Sequence, residues 1–431
     1  MLKAGFARVD ITPPFGSNLS GYFYARSMDG IRDVLELNAL AVGNGEDTVV
    51  VIAADLIGCV MTRCDEIRSL IEKRSGVPAD HVYIHCMHQH TSVRLGKAGE
   101  TDTNSLVDDE YISVLIRKFA DVAQLALADM CDAEVSTATA PASEPIAFIR
   151  RYYLKDGTIV TNPPAELKEQ LAGMVGEPDN TMRLVRFKRE GAKDIALVNF
   201  STHPDVIGGT KVSADWPGFT RRFVEADIAD VSCVFINGAQ GDSNHLDFMH
   251  EKRTGYEHSR FMGRIVADAV LSVWDKTTPA VGDKVTGEIE IVYNKTRTEG
   301  EERYEECKKF YEDYEAGLLG KPHITVLAEA CRIIEVRTAK IYRPVPVSVV
   351  SFGNVALVGF GGEPFTAYAT QARAVAPDKF VITNCCTNGY EGYLPTASAF
   401  EEGGYEAKSS RFSPNLEEQC IGAAKKLLAK I

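Results

Sequence analysis

The chain has 431 residues, 45% hydrophobic and 25% charged, a composition that describes a globular protein with a large core and excludes an intrinsically disordered one. Its 60 acidic residues against 47 basic ones give a net charge of -13, which opposes phosphate neutralisation and argues against a nucleic-acid partner. No apolar run approaches the ~18 residues of a membrane span, Met1 to Asp10 lacks the apolar core of a signal peptide, and ten cysteines without a Cys-X-X-Cys pair fit a reduced, cytoplasmic protein.

In chain order, Thr48 to Asp55 reads as a strand and Cys64 to Lys73 as a helix. The strand His81 to Ile84 runs into His88-Gln89-His90. Residues 110 to 130 follow as an amphipathic helix whose core stripe is Ile112, Val114, Leu115, Phe119, Val122, Leu125 and Leu127. Ile195 to Phe200 is a strand closed by His203, and Val234 to Asn237 leads to Gly241-Asp242-Ser243-Asn244. The character changes over about 285 to 350. There a strand at Ile289 to Tyr293 precedes a charged helical run from Glu301 to Ala316, whose charges point to a solvated face and, as the minority alternative, to a substrate lid or subunit contact. A second helical run, Val326 to Ile334, is followed by strands at Val336 to Tyr342 and Val345 to Val350, the latter expected at an edge because of Pro346. Val355 to Phe360 stops at Gly361-Gly362-Glu363, and Phe380 to Thr383 leads to Asn388-Gly389-Tyr390-Glu391-Gly392-Tyr393. This alternation predicts an α/β fold of mixed β-sheets flanked by helices. The expected organisation is one catalytic domain over 1–431, elaborated at about 285–350.

Five apolar runs thus end in polar clusters, and in an α/β sheet the carboxyl ends of the strands are where loops converge on a ligand. Imidazole nitrogens with a carboxylate oxygen suit Zn²⁺, and three protein ligands leave a position open for water. On an extended backbone His88 and His90 leave on one face, so either both ligate or one ligates and the other stands beside the metal. His203 and Glu363 sit at equivalent strand ends. His81 and His85 read as structural, and His245 and His250 as supporting or exposed groups.

In order along the chain, Asp10-Ile11-Thr12-Pro13-Pro14, Gly21-Tyr22, Ala53-Ala54-Asp55, His88-Gln89-His90-Thr91-Ser92, Arg150 before Asn162-Pro163, and His203 form a pattern. It continues through Val212-Ser213-Ala214-Asp215, Asn237 to Asp242, Gly362-Glu363 and the tyrosine-rich stretch from Asn388 to Glu406. The whole resembles the N-terminal catalytic domain of the neutral/alkaline ceramidase superfamily. The resemblance implies a zinc ion held by His88, His203, Glu363 and Tyr393, with Tyr390 as the competing tyrosine, and His90, Arg150 and Tyr405 as catalytic groups. It further implies hydrolysis of an amide or related acyl bond by metal-activated water, with Asp215 and Asp242 as candidates to orient the ligating imidazoles.

The chain departs from that family at Thr91-Ser92-Val93 and at the shorter Gly241 to Asn244 segment, and the family's C-terminal β-sandwich domain is expected to be absent. These departures argue against membrane ceramide and leave open a small, non-lipid substrate such as a sugar derivative. The expected partner is a small molecule, without stable membrane insertion and compatible with a homo-oligomer. Two rival functions follow from the same residues: a serine hydrolase using Ser243 with Asp247 and His250, and a non-catalytic metal- or carbohydrate-binding protein.

Overall fold

The computed structural model describes residues 1–97, 101 and 108–431. Two sheets organise it. The strands Lys3–Asp10 (β1), Glu36–Gly43 (β2), Thr48–Ala54 (β3), Val82–Cys86 (β4), Cys131–Pro141 (β5), Thr181–Arg189 (β6), Asp194–Phe200 (β7) and Val231–Asn237 (β8) form the larger sheet in the order β8-β7-β6-β5-β1-β2-β3-β4, with the short strand Thr278–Pro279 added beside β5. Most neighbours run antiparallel, but the two ends of this order are parallel pairs, β7 with β8 and β3 with β4. The smaller sheet takes Val285–Lys295 (β9), Tyr342–Phe352 (β10), Val355–Phe360 (β11) and Phe380–Asn384 (β12) in that order, and it too ends in a parallel pair, β11 with β12.

Each strand that leads to a candidate ligand belongs to one of these parallel pairs. Parallel strands are buried on both faces and read as continuous β-branched runs, which is why Val234-Phe235-Ile236 and Val355 to Val358 are so uniformly apolar. The edges meet. The Asn237 N–H at the end of β8 donates to His85 Nε2 on β4 at 2.9 Å, and Asn384 Nδ2 on β12 donates to the Asn237 carbonyl at 3.0 Å. The carboxyl ends of β4, β8 and β12 therefore open into one place, and His85 is a structural residue whose ring joins two of them.

Helices cover the sheets. Met61–Ser75 (α1) packs on Asp109–Ala128 (α2), which lies over β1 and β2; Asp215–Asp227 (α3) pairs with Tyr256–Val273 (α4). The buried stripe of α2 is Ile112, Leu115, Ile116, Phe119, Ala120, Val122, Ala123 and Ala126; Val114 and Leu125, expected inside, are 44% and 52% exposed because they fall outside that face. No helix among the described residues is long and apolar enough to cross a membrane.

The 285–350 region contains β9 and most of β10, one of the two inner strands of the smaller sheet. The charged run forms Tyr304–Glu315 (α5), which packs on Ile324–Val336 (α6). The expected strand from Val336 to Tyr342 does not form: α6 continues to Val336, and β10 begins at Tyr342. Nor is β10 an edge. It pairs β9 along its full length, and its ladder to β11 starts at Val347, one residue past Pro346, so the prolines at 344 and 346 remove no donor from that ladder.

Candidate metal centre

Behind the His88-Gln89-His90 segment lies a buried anchor. Arg221 binds Asp55 with two contacts of 3.0 and 2.6 Å, and Gln89 Nε2 donates to the same carboxylate at 2.7 Å. The strand β4 has already ended at Cys86, and His88 stands at φ 75°, a left-handed conformation that costs a residue with a Cβ and recurs at functional sites. Its ring and that of His90 are 5.2 Å apart because the chain turns there, not because the segment is extended.

The ring of His88 is held by Nδ1 at 2.8 Å from the Ile57 carbonyl, and that of His203 by Nδ1 at 2.7 and 3.0 Å from the carbonyls of Gln240 and Ser243. A carbonyl can only accept, so both Nδ1 atoms carry the proton and both Nε2 atoms present a lone pair. Both Nε2 atoms lie 3.2 Å from the same carboxylate oxygen, Oε2 of Glu363. Burial, with Arg150 nearby, pushes the His203 pKa down to about 4, which keeps that lone pair free of a proton.

Three lone-pair atoms facing one another in a site where His88, His203 and Glu363 are each at most 2% exposed would repel unless a cation lay between them. His203 Nε2 and Glu363 Oε2 are accordingly buried without a hydrogen-bond partner. Atoms each ~2.0 to 2.2 Å from a tetrahedral ion lie roughly 3.3 to 3.6 Å apart, and the observed 3.2 Å separations come close to what a small divalent ion needs. His90 joins the group: one ligand atom from each of His88, His90 and His203 lies within 4.8 Å of the others.

The remaining predicted residues surround this cluster. Glu363 pairs with Tyr393 in a short parallel bridge, while Tyr390 Oη donates to Glu363 Oε1 at 3.1 Å, so Tyr390 fixes the carboxylate through the oxygen that faces away from the imidazoles. The Arg150 guanidinium carbon lies 5.3 and 5.7 Å from the ring centres of Tyr393 and Tyr405, and those two rings are 5.4 Å apart. Arg150 is held by Glu406 Oε1 at 2.7 Å and by the Gly241 carbonyl at 2.6 Å. Burial raises the hydroxyl pKa of both Tyr393 and Tyr405, which keeps them protonated and able to donate.

Asp215 and Asp242 do not orient the imidazoles. Asp215 accepts from the backbone of Val206, Ile207 and Trp216 and from Ser259, shaping the loop after His203, and Asp242 caps Thr366. Backbone carbonyls hold the rings instead. Asp205 and Glu406 are the residues that sequence reasoning missed. Asp205 Oδ1 is 3.5 Å from His90 Nδ1 and accepts from Tyr22, and burial pushes its pKa up to about 6. Their signals were adjacency to His203 and Tyr405 respectively.

Ser243 is fully buried and donates to Thr202 Oγ1 at 3.5 Å, while His250, bonded to Asp247 at 2.7 Å, stands exposed in a separate cavity and is not placed as a base for Ser243. His245 is buried in the wall of that second cavity, its ring 5.9 Å from that of His258.

A cavity of about 160 Å³ opens above Glu363, Tyr390, Tyr393 and Tyr405. Its far wall comes from α6, through Ala328, Cys331, Arg332 and Glu335, with Tyr311 of α5 beside them. The charged helical pair is therefore a wall of the cavity on its inner face and a solvated surface on its outer one.

No protein-family profile and no curated protein sequence matches the chain. Solved structures do. A neutral ceramidase from Pseudomonas aeruginosa superposes with a TM-score of 0.76 at 14% identity, over 100% of this chain and 75% of that one. A ceramidase complexed with C2 gives a TM-score of 0.73 at 13% identity, over 99% of this chain and 74% of that one. The architecture is thus the neutral ceramidase fold, as the ordered motifs implied.

Proposed function

We propose that the protein is a zinc-dependent hydrolase that cleaves an amide (N-acyl) or related acyl bond of a small molecule. The observation that carries this reading is the convergence of two backbone-fixed imidazole lone pairs on one buried carboxylate oxygen at the floor of a cavity. His88, His203 and Glu363 would hold the ion, with Tyr393 rather than Tyr390 as the tyrosine nearest to ligation, because the Tyr390 hydroxyl is engaged with Glu363 Oε1. Bound there, zinc supplies Lewis acidity toward an acyl oxygen and makes water acidic enough to attack near neutral pH.

The chain's own groups complete the chemistry. His90 is buried, neither ring nitrogen has a hydrogen-bond partner, and burial together with the neighbouring imidazoles keeps it neutral. A neutral imidazole can take the proton of the attacking water and return it to the leaving nitrogen. Asp205, 3.5 Å from Nδ1, is placed to orient that ring and to balance its charge once protonated. The Arg150 guanidinium lies 5.3 and 5.7 Å from the Tyr393 and Tyr405 rings, so its charge polarises two hydroxyl donors that line the cavity and can help to stabilise a developing oxyanion.

The experiment is turnover of a panel of N-acyl compounds before and after removal of metal by a chelator. Loss of activity on chelation and recovery with one equivalent of zinc supports the reading; chelator-resistant turnover, or none with zinc fully bound, refutes it.

A further inference from the structure

A segment near the N-terminus, residues 20–26, clasps the histidine loop and has no part in the chemistry described so far. The Ser20 N–H donates to the Ser92 carbonyl at 3.0 Å. Arg26 Nη2 donates to the carbonyls of Ser20 and His90 at 2.5 and 2.7 Å, while its Nη1 reaches that of Gly209 at 3.0 Å. Gly21 stands at φ 109°, and a Cβ added to it would lie 2.8 Å from Cγ and Nδ1 of His90, so the segment can approach that ring this closely only with glycine there.

Tyr22 stands beside the same imidazole. Its ring centre is 5.3 Å from that of His90, edge to face, and the Arg26 guanidinium carbon lies 4.1 Å from its own ring centre, so the phenol is clamped between two groups. The hydroxyl donates to Asp205 Oδ1. That oxygen is also the one 3.5 Å from His90 Nδ1, a long contact of the kind that tightens when substrate binds. One carboxylate oxygen therefore serves two neighbours. Asp205 is only partly buried, and its carboxylate would rotate freely on its loop if the fixed phenol did not hold it. An imidazole whose Nδ1 faces a carboxylate carries its proton there and presents Nε2 as a base.

We infer that Tyr22 is a positioning residue for the proposed reaction: by anchoring Oδ1 of Asp205 it holds His90 as the Nδ1–H tautomer, with Nε2 left to exchange protons with the attacking water and the leaving nitrogen. The inference rests on the hydrolase reading above for the use made of Nε2, but not for the state of the ring. Tyr22 also lines the cavity, so the test separates an effect carried by His90 from one on substrate binding.

Zinc-loaded wild-type protein, Tyr22→Phe, His90→Ala and the double variant are compared in zinc content and in steady-state turnover of whichever N-acyl compound of the panel the wild-type protein cleaves fastest. Nitrogen NMR of histidine-labelled protein gives the tautomer of His90, whose signals are those missing from His90→Ala. Tyr22→Phe keeps the ring and the zinc, and its KM stays within about twofold while kcat falls about 10- to 100-fold, the cost of a reacting group displaced by up to ~1 Å. In the His90→Ala background the same change has no further effect, because the group it acts through is gone. The wild-type His90 is a single Nδ1–H tautomer, and in Tyr22→Phe it becomes a mixture of two. An unchanged kcat, a rise in KM with kcat intact, a loss that persists in the His90→Ala background, or His90 signals identical with and without the hydroxyl overturns the inference while the hydrolase reading stands. Absence of any wild-type turnover removes the hydrolase reading, and the His90 signals then uphold or overturn the hold of Tyr22 on that ring by themselves.

Discussion

The floor and the wall of the cavity are made differently. The floor is contributed by loops that leave parallel strand ends, and its side chains are fixed by backbone carbonyls of Ile57, Gln240 and Ser243. The wall is contributed by a helix pair inserted between β9 and β10, where Glu335 is held by the Arg411 side chain and Arg332 is tied to the carbonyls of Lys408 and Glu299. Strand ends at a sheet junction have little freedom to vary in position, which suits a centre that must place ligand atoms to a few tenths of an ångström. A helical insertion can change residue by residue without disturbing the sheet, which suits selection among substrates. The difference teaches that the group able to hold an ion and the surface that shapes the cavity above it come from separate parts of this chain.

The sharpest way to break that division is at the floor. His88→Ala and His203→Ala each remove one of three facing atoms and should strip zinc and abolish measurable turnover, with the fold retained by circular dichroism; full metal content in both variants would dissolve the site. His90→Ala should keep the metal and lose turnover by about 10² to 10⁴, the usual worth of a general acid–base group. Loss of zinc from that variant would instead make His90 a ligand.

At the wall, Glu335→Gln leaves Arg411 without its counter-ion in a largely buried pair and should cost on the order of 3 kcal/mol in denaturant unfolding, while zinc stoichiometry stays unchanged. A variant that loses metal as well would show that floor and wall are one unit.

His85 tests the junction beneath both. Burial pushes its pKa down to about 4 from 6.5, and its neutral ring donates through Nδ1 to Cys385 and accepts the Asn237 N–H. Because the folded value is the lower one, its stabilisation is complete above pH 6.5 and is lost as pH falls toward 4. The shift corresponds to roughly 3 to 4 kcal/mol. Unfolding of metal-free protein should weaken between pH 6.5 and 4 by at least that amount, since His203 and His245 are shifted the same way, and His85→Gln should remove about its own share of the dependence. An unchanged slope in that variant would assign the effect to other groups. The smallest expected effect is that of Tyr390→Phe, which frees Glu363 Oε1 and should weaken zinc binding ~10- to 100-fold without removing it.

The floor was legible in the sequence because continuous β-branched runs announce buried parallel strands, and His88, His203 and Glu363 follow such runs at short distance. What holds the imidazoles was not, because every residue owns a carbonyl and only the fold selects Ile57 or Gln240. Asp242 and Asp215 looked suited to that work by residue type, but they were already engaged in shaping loops. The wall was the least legible part. Arg332 and Glu335 sit in an apolar-rich helix whose inner face is defined only by packing against α5 and the Tyr405–Ser409 turn of helix, and the run after Val336 looked strand-like by composition alone.

The most direct measurement of the central claim is X-ray absorption at the zinc edge of protein loaded with one equivalent of the metal. The account predicts two imidazole nitrogens at ~2.0 to 2.1 Å with oxygen donors completing a low-coordinate shell. Sulfur in the first shell, which would bring in Cys386 at 3.7 Å from the His88 ring, or a hydrated ion without imidazole scattering, would contradict it.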